Sequence, residues 1–321
     1  MAQFTYRDVR SDRDLSVAPP RHWWDWIFRL RIEEFLALVF FAPMVYLTLK
    51  AFFFYYSQGI YYRKFVGDVE RACAVVIVAA LAIWIAKYRP RWTVLRDALP
   101  FAYCVAIYTN LHDTIHFANP HDIHNALIAF DGWLFGVQPC IWAQQFVRPW
   151  LTEILSLCYM SFFIWSPLVA SVLYFRKRKT EFRYTMASVI LCFYFGYILY
   201  VLFPAVPPRI MLQHQLTAQF NGTPIADAAL KVVNTLPGDS RAAFPSLHAA
   251  ITLLSVLFAW KYLRTLFWVI LPFCVGLWVS TIYLCHHYFL DLVAGFILGI
   301  LAFVYGPRIE AWWQSRRPVG P

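Results

Sequence analysis

Charge is scarce in this chain. Aspartate, glutamate, lysine and arginine make up only 14% of its 321 residues, against 60% apolar and 19% aromatic. A water-soluble domain carries about a quarter charged residues, so the composition excludes one. The cysteines are equally uninformative as chemistry. Seven are present (73, 104, 140, 158, 192, 274 and 285), with no C-x-x-C pair and no metal-ligand spacing, and most sit in apolar runs as small hydrophobes. Internal repeats and low-complexity segments are missing. So is an apolar h-region near the start, where the first 30 residues are charged throughout, and a cleavable signal is therefore not expected.

What the chain does have is long apolar stretches. Eight candidate spans lie at about 35–56, 70–86, 97–111, 151–175, 184–203, 247–260, 265–284 and 287–305, several near the ~20 residues that cross a bilayer. The expectation is an all-α integral membrane protein with about eight transmembrane helices. Residues 21–34, RHWWDWIFRLRIEE, set Trp23, Trp26, Ile27 and Leu30 at helical spacing against Arg21, Arg29 and Arg31. That pattern fits a short N-terminal interfacial helix, and equally the frayed start of the first span.

A formal charge of +10 invites a nucleic-acid reading, but the placement of the basic residues argues against that partner. The N-terminal tail, KYRPRWTVLR (87–96), RKRKTEFR (176–183), KYLR (261–264) and the C-terminal tail hold 20 of the 28 lysines and arginines. Eight spans put all five segments on one side, which the positive-inside rule makes cytoplasmic, with both termini there. The expected organisation is a cytoplasmic tail and interfacial helix (1–34), N-terminal transmembrane helices (35–111), a non-cytoplasmic His-rich loop (112–150), a catalytic transmembrane core (151–305) and a cytoplasmic tail (306–321). Eight of the nine histidines then fall at the non-cytoplasmic face, and one polar site at that membrane boundary follows.

Within STIYLCHHYFLDLVAGFILG, residues 280–299, His287 and Asp291 are four apart. On a helix they share one face, where a carboxylate fixes an imidazole's tautomer. Ionisable groups in a span are costly unless paired or wet, and they mark function. FPSLH, residues 244–248, opens the sixth span with Pro245 and Ser246 at a helix start, where free N–H groups suit an anion, and His248 on the same rim. Arg241 and Arg209 bring guanidinium groups suited to phosphate oxygens. These are the parts of a phosphoryl transfer through a phosphohistidine, needing no metal or cofactor. Other readings stand beside each residue: a packing role for a lone histidine, a helix cap for Ser246, loop charges meeting head groups for the arginines.

AAFPSLHAA and STIYLCHHYFLDLVAG resemble the second and third motifs of the type 2 phosphatidic acid phosphatase superfamily, above all its inositol phosphorylceramide synthase-like branch. The resemblance covers about residues 105–300 and implies a six-helix phosphatase-type core. It further implies that His287 attacks phosphorus, Asp291 orients it and His248 protonates the leaving alkoxide. The substrate-binding set would be Ser246, Arg241, Arg209, Thr281 and Tyr283. The implied substrates are a lipid phosphate or phospholipid and an alcohol acceptor, with water as the alternative acceptor. Two departures bear on this. The family's first motif, Lys-x6-Arg-Pro, is absent, and Thr281 stands where the third motif usually has arginine, which matches the synthase branch better than the simple phosphatases.

The rival is HDTIHFANPHDIH, residues 112–124. His112 and His116, then His121 and His124, with His286 and His287, resemble the histidine boxes of di-iron desaturases and hydroxylases. Tyr283 stands where a third box needs histidine, the boxes fall on the wrong side, and PSLH and Asp291 stay unexplained. The segment is otherwise a wet loop holding a substrate or acceptor, or a structural one. A transporter with a buried ionisable relay is the third class, but its charges would sit near the bilayer midplane rather than at span ends.

Overall fold

The computed structural model describes residues 27–28, 30–57, 92–218, 220 and 241–316, with isolated positions at 73–88 and 224–228. The N-terminal tail, half of the interfacial segment 21–34 and about half of the expected second span at 70–86 lie outside the described residues.

Nine helices of ten residues or more are present among the described residues: α1 (Ile32–Ser57), α2 (Thr93–Ala118), α3 (His124–Phe135), α4 (Pro149–Met160), α5 (Phe162–Phe175), α6 (Lys179–Leu202), α7 (Leu247–Tyr262), α8 (Arg264–Tyr283) and α9 (Phe289–Ser315). Short helical turns at Pro139–Ala143 and Pro208–Met211 sit in the connections. No strand is found among the described residues, only an isolated parallel bridge between Ala205 and Ala242. The protein is an all-α membrane protein. By length and composition α6, α8 and α9 can each cross a bilayer, and up to five spans result if each of two bent helix pairs counts as one. The full count of eight is not reached among the described residues.

The expected span 151–175 is two helices, α4 and α5, bent by 44°. The break falls at Ser161, whose hydroxyl donates to the Cys158 carbonyl (2.5 Å) and accepts from Trp165 Nε1 (2.8 Å). A serine competing for a helix carbonyl, with Pro167 following in α5, is enough to turn the chain. The expected loop 112–150 is also largely helical. Its histidines read as a wet loop, but ALIAFDGWLF just after them is an apolar run that forms most of α3, which Gly136 ends at φ 72°.

α7 is the central element, packed against α5, α6, α8 and α9. It can approach α9 closely because Gly295 and Gly299, four apart, face Ser246, Ala249 and Ala250. At the other end of the bundle, α1, α2, α6 and α9 meet in a buried ion network that the sequence pattern did not disclose. Arg183 bonds Glu33 (2.6 Å) and Glu310 (2.9 Å), Arg96 bonds Glu34 (2.6 Å), and Arg31 pairs with Asp97. Chain direction places this network, with the basic segments 176–183 and 261–264, at the end opposite the histidines.

A methyl group at Gly299 would lie 2.7 Å from the Ala250 carbonyl oxygen, too close for α9 to hold its place. Gly299→Ala is therefore expected to cost about 1–3 kcal/mol of stability through overpacking, seen as a lowered melting temperature in detergent.

Candidate active site

The polar site forms where the start of α7, the end of α8 and the start of α9 meet the break between α4 and α5. Residues 284–288 connect α8 to α9 in a turn rather than a helix. Cys285 adopts φ 58°, and the amides of His286 (2.9 Å) and His287 (3.1 Å) both donate to the Thr281 carbonyl. The helical i,i+4 geometry expected for His287 and Asp291 is therefore replaced. His287 precedes α9, Asp291 is its third residue, and the two still meet across the helix start at 3.3 Å. The Asp291 carboxylate also accepts from the Tyr288 amide (2.9 Å), as an acidic residue in a capping box does.

Hydrogen bonding fixes the tautomers. His287 Nδ1 lies 3.0 Å from the Ala243 carbonyl oxygen, which can only accept, so Nδ1 carries the proton and donates. In the neutral ring Nε2 then holds the lone pair. It lies 3.3 Å from His248 Nδ1, which must be the donor there. His287 lies outside the spans, and burial pushes its pKa down to about 4, with the Arg209 charge adding to this and the Ala243 carbonyl opposing it. Burial and Arg209 likewise lower His286. At neutral pH His287 Nε2 is therefore unprotonated and accepts from His248.

His248 is clamped by aromatic rings. Tyr159, the penultimate residue before the α4–α5 break, stacks on it (4.9 Å, 25°), and Phe162 lies 4.4 Å away. Tyr159 also covers His286 at 4.6 Å, so His286 belongs to the site's wall rather than to a rim. Arg209 is brought in by its own amide, which donates to the Cys285 carbonyl (2.9 Å). Its Nε is buried without a hydrogen-bond partner among the described residues, an arrangement suited to an anion.

Other expected site residues are placed differently. Ser246 caps α7: its Oγ accepts from the Ala249 amide (3.3 Å), its own amide donates to the Asp291 carbonyl (2.9 Å), and it is fully buried. Thr281 is also fully buried, with its hydroxyl donating to the Trp278 carbonyl (2.7 Å). The Tyr283 hydroxyl pairs with Thr152 Oγ1 at 2.8 Å. Thr281 and Tyr283 thus support the connection from behind and do not point into the site. Arg241 turns away to His116 Nδ1 (2.5 Å) and Asp122 (3.5 Å), while its backbone carbonyl accepts from the Ala205 amide (3.0 Å). It anchors the segment that ends in Ala243.

The same contact bears on the histidine boxes. An imidazole nitrogen that accepts from a guanidinium cannot also ligate a cation through that lone pair, and the described residues bring no three His, Cys, Asp or Glu side chains into a metal-holding group. Sequence reasoning missed two contributors. The Ala243 carbonyl is invisible to residue chemistry, and Asp131 of α3, which bonds the start of α9, lay within what read as a loop.

The profile of the PAP2 superfamily matches residues 125–305. The chain belongs to that superfamily. Among curated relatives, the inositol phosphorylceramide synthase of Candida albicans is 36% identical over 124 residues, covering 34% of this chain and 26% of the relative. The phosphoinositol dihydroceramide synthase of Bacteroides thetaiotaomicron is 32% identical over 167 residues, 44% of this chain and 53% of the relative. The inositol phosphorylceramide synthase catalytic subunit of Saccharomyces cerevisiae is 33% identical over 126 residues, 35% and 31%. The chain thus spans between about a quarter and about half the length of these relatives. No solved structure matches it.

Ser246→Ala removes a cap and should cost about 1 kcal/mol of stability, read by thermal unfolding, with donor KM changed less than about threefold. Thr281→Arg should fail to fold: a guanidinium has no room at a fully buried position. Loss of the monodisperse peak on size exclusion checks this.

Proposed function

We propose that this PAP2 protein is a membrane phosphotransferase that moves a phosphate-bearing head group from a phospholipid to an alcohol through a phosphohistidine. The observation that carries the reading is the line of groups from Ala243 and Asp291 through His287 to His248. His287 Nε2 attacks phosphorus, and the bond to the lipid alkoxide breaks. The Nδ1–H of the charged ring stays on the Ala243 carbonyl and the Asp291 carboxylate. His248, protonated on both ring nitrogens when it acts as the acid, gives one proton to the departing oxygen and is left neutral. His248 then takes the proton of the entering alcohol, whose oxygen displaces His287. Arg209 and the start of α7 that Ser246 caps would hold the phosphoryl oxygens.

Support for transfer to an alcohol comes from the three relatives named above, all of them synthases. Entry of water in place of the alcohol would make the same site a lipid phosphate phosphatase. The reading also places the site at the non-cytoplasmic face, with about eight spans and both termini cytoplasmic. α7 has 16 residues, about 24 Å of helix against a hydrocarbon core of about 30 Å. With Lys261 and Arg264 at one boundary, its catalytic end stops short of the other, a depth that a lipid phosphate can reach.

The test supplies purified protein with phosphorus-labelled phospholipids, with and without inositol- or ceramide-type acceptors, in excess chelator. Label should move to an alcohol, or to inorganic phosphate if water is the acceptor. His287→Ala should lower turnover by at least about a thousandfold. Comparable turnover in that variant, or silence of the parent protein in chelator, would refute the mechanism.

A further inference from the structure

α3 lies against the catalytic connection without entering any step above. Its Leu127 packs with Ala205, Ala243 and Tyr288, and the Ile123 amide just before it donates to the Pro204 carbonyl (2.8 Å). Nearly two turns into the helix, Asp131 is 1% exposed, and its oxygens accept from the amides of Phe289 (2.8 Å) and Leu290 (3.4 Å). Those are the first two amides of α9. A helix start leaves such donors unpaired, and carboxylates are favoured there. Two carboxylates therefore serve one helix start: Asp131 from a different element, and Asp291 from within.

We propose that Asp131 is a positioning residue for phosphoryl transfer, one that occupies the first amides of α9 so that the Asp291 carboxylate is kept for the Tyr288 amide and His287 Nδ1. The role rests on His287 being the nucleophile. Buried amides do not stay unpaired. With Asp131 removed, the carboxylate nearest to Phe289 and Leu290 is that of Asp291. Turning toward them would draw it off His287, leaving the ring on the Ala243 carbonyl alone. The packing of Leu127 on Ala243 and Tyr288 makes α3 a common support for both partners of Nδ1.

The test is a double-mutant cycle on the full chain, which separates a residue acting through Asp291 from one that merely holds the fold. Asp131→Ala, Asp291→Asn and the double variant are compared for kcat and donor KM, with His287→Ala as control. Asp131→Ala alone should lower kcat about 10- to 100-fold, the scale of a small misplacement of a reacting group, with KM within about threefold. In the Asp291→Asn background the same change should cost less than about threefold. Losses that multiply, or an unchanged kcat in Asp131→Ala, overturn the role. If Asp131→Ala does not fold, Asp131→Leu, which keeps the volume and lacks the accepting oxygens, is carried through the same cycle. Parent-level turnover in His287→Ala would refute the phosphohistidine reading and this role with it, whereas multiplying losses beside an inactive His287→Ala refute this role alone.

Discussion

The bond from His287 Nδ1 to the Ala243 carbonyl is the constraint on which the rest of the site depends. A carbonyl can only accept, so this one contact decides the tautomer, leaves the lone pair on Nε2 and makes His248 the donor in the next bond. Asp291 reinforces it at 3.3 Å from across the helix start. The carbonyl is itself held in place. The Ala243 amide donates to the Ala205 carbonyl (3.1 Å), and Arg241, two residues earlier, is pinned to His116 and Asp122. Residues far apart in the chain thus act together on one ring nitrogen.

Close helix packing lets the two motifs meet. FPSLH opens α7 and the His-His-Tyr segment precedes α9, and the helices must nearly touch for their first turns to share a site. The Ser246 amide donating to the Asp291 carbonyl is the direct link between them. Gly295 and Gly299 permit that approach by presenting no side chain to Ser246 and Ala250. At the far end, the network of Arg183 with Glu33 and Glu310 ties the same α9 to α6 and α1. Such a buried network adds little net stability over apolar packing, but it penalises every arrangement that leaves one of its charges unpaired.

Much of this was legible in the sequence, and what was not has identifiable causes. The class followed from composition, because a chain with so few charges has no aqueous fold open to it. His248, His287 and Asp291 were legible as a group because ionisable residues stand out in apolar runs. The pairing of His287 with Asp291 was right in substance and wrong in geometry: a spacing of four suggests a helix, yet the left-handed Cys285 ends the regular chain before the pair. Thr281 and Tyr283 were read as substrate groups from their place in a motif, while their side chains bond Trp278 and Thr152 behind it. Sequence spacing does not encode which way a side chain turns. The apolar run of α3 was hidden for a related reason, since the four histidines just before it drew the whole segment into one reading as a loop.

The two helix starts in the site are treated in opposite ways, and the difference gives the site its polarity. At α9 the amides of Tyr288, Phe289 and Leu290 are taken by the side-chain oxygens of Asp291 and Asp131. An incoming phosphate would find none of these donors open. At α7 the cap is a neutral hydroxyl, and Arg209 stands near with a buried nitrogen free of protein partners among the described residues. In the proposed transfer an anion would be drawn toward α7 and Arg209, while the start of α9 serves the imidazole. Asp291 and the Ala243 carbonyl lie on the Nδ1 side of His287, so the proposed attack would come from Nε2, on the side of His248.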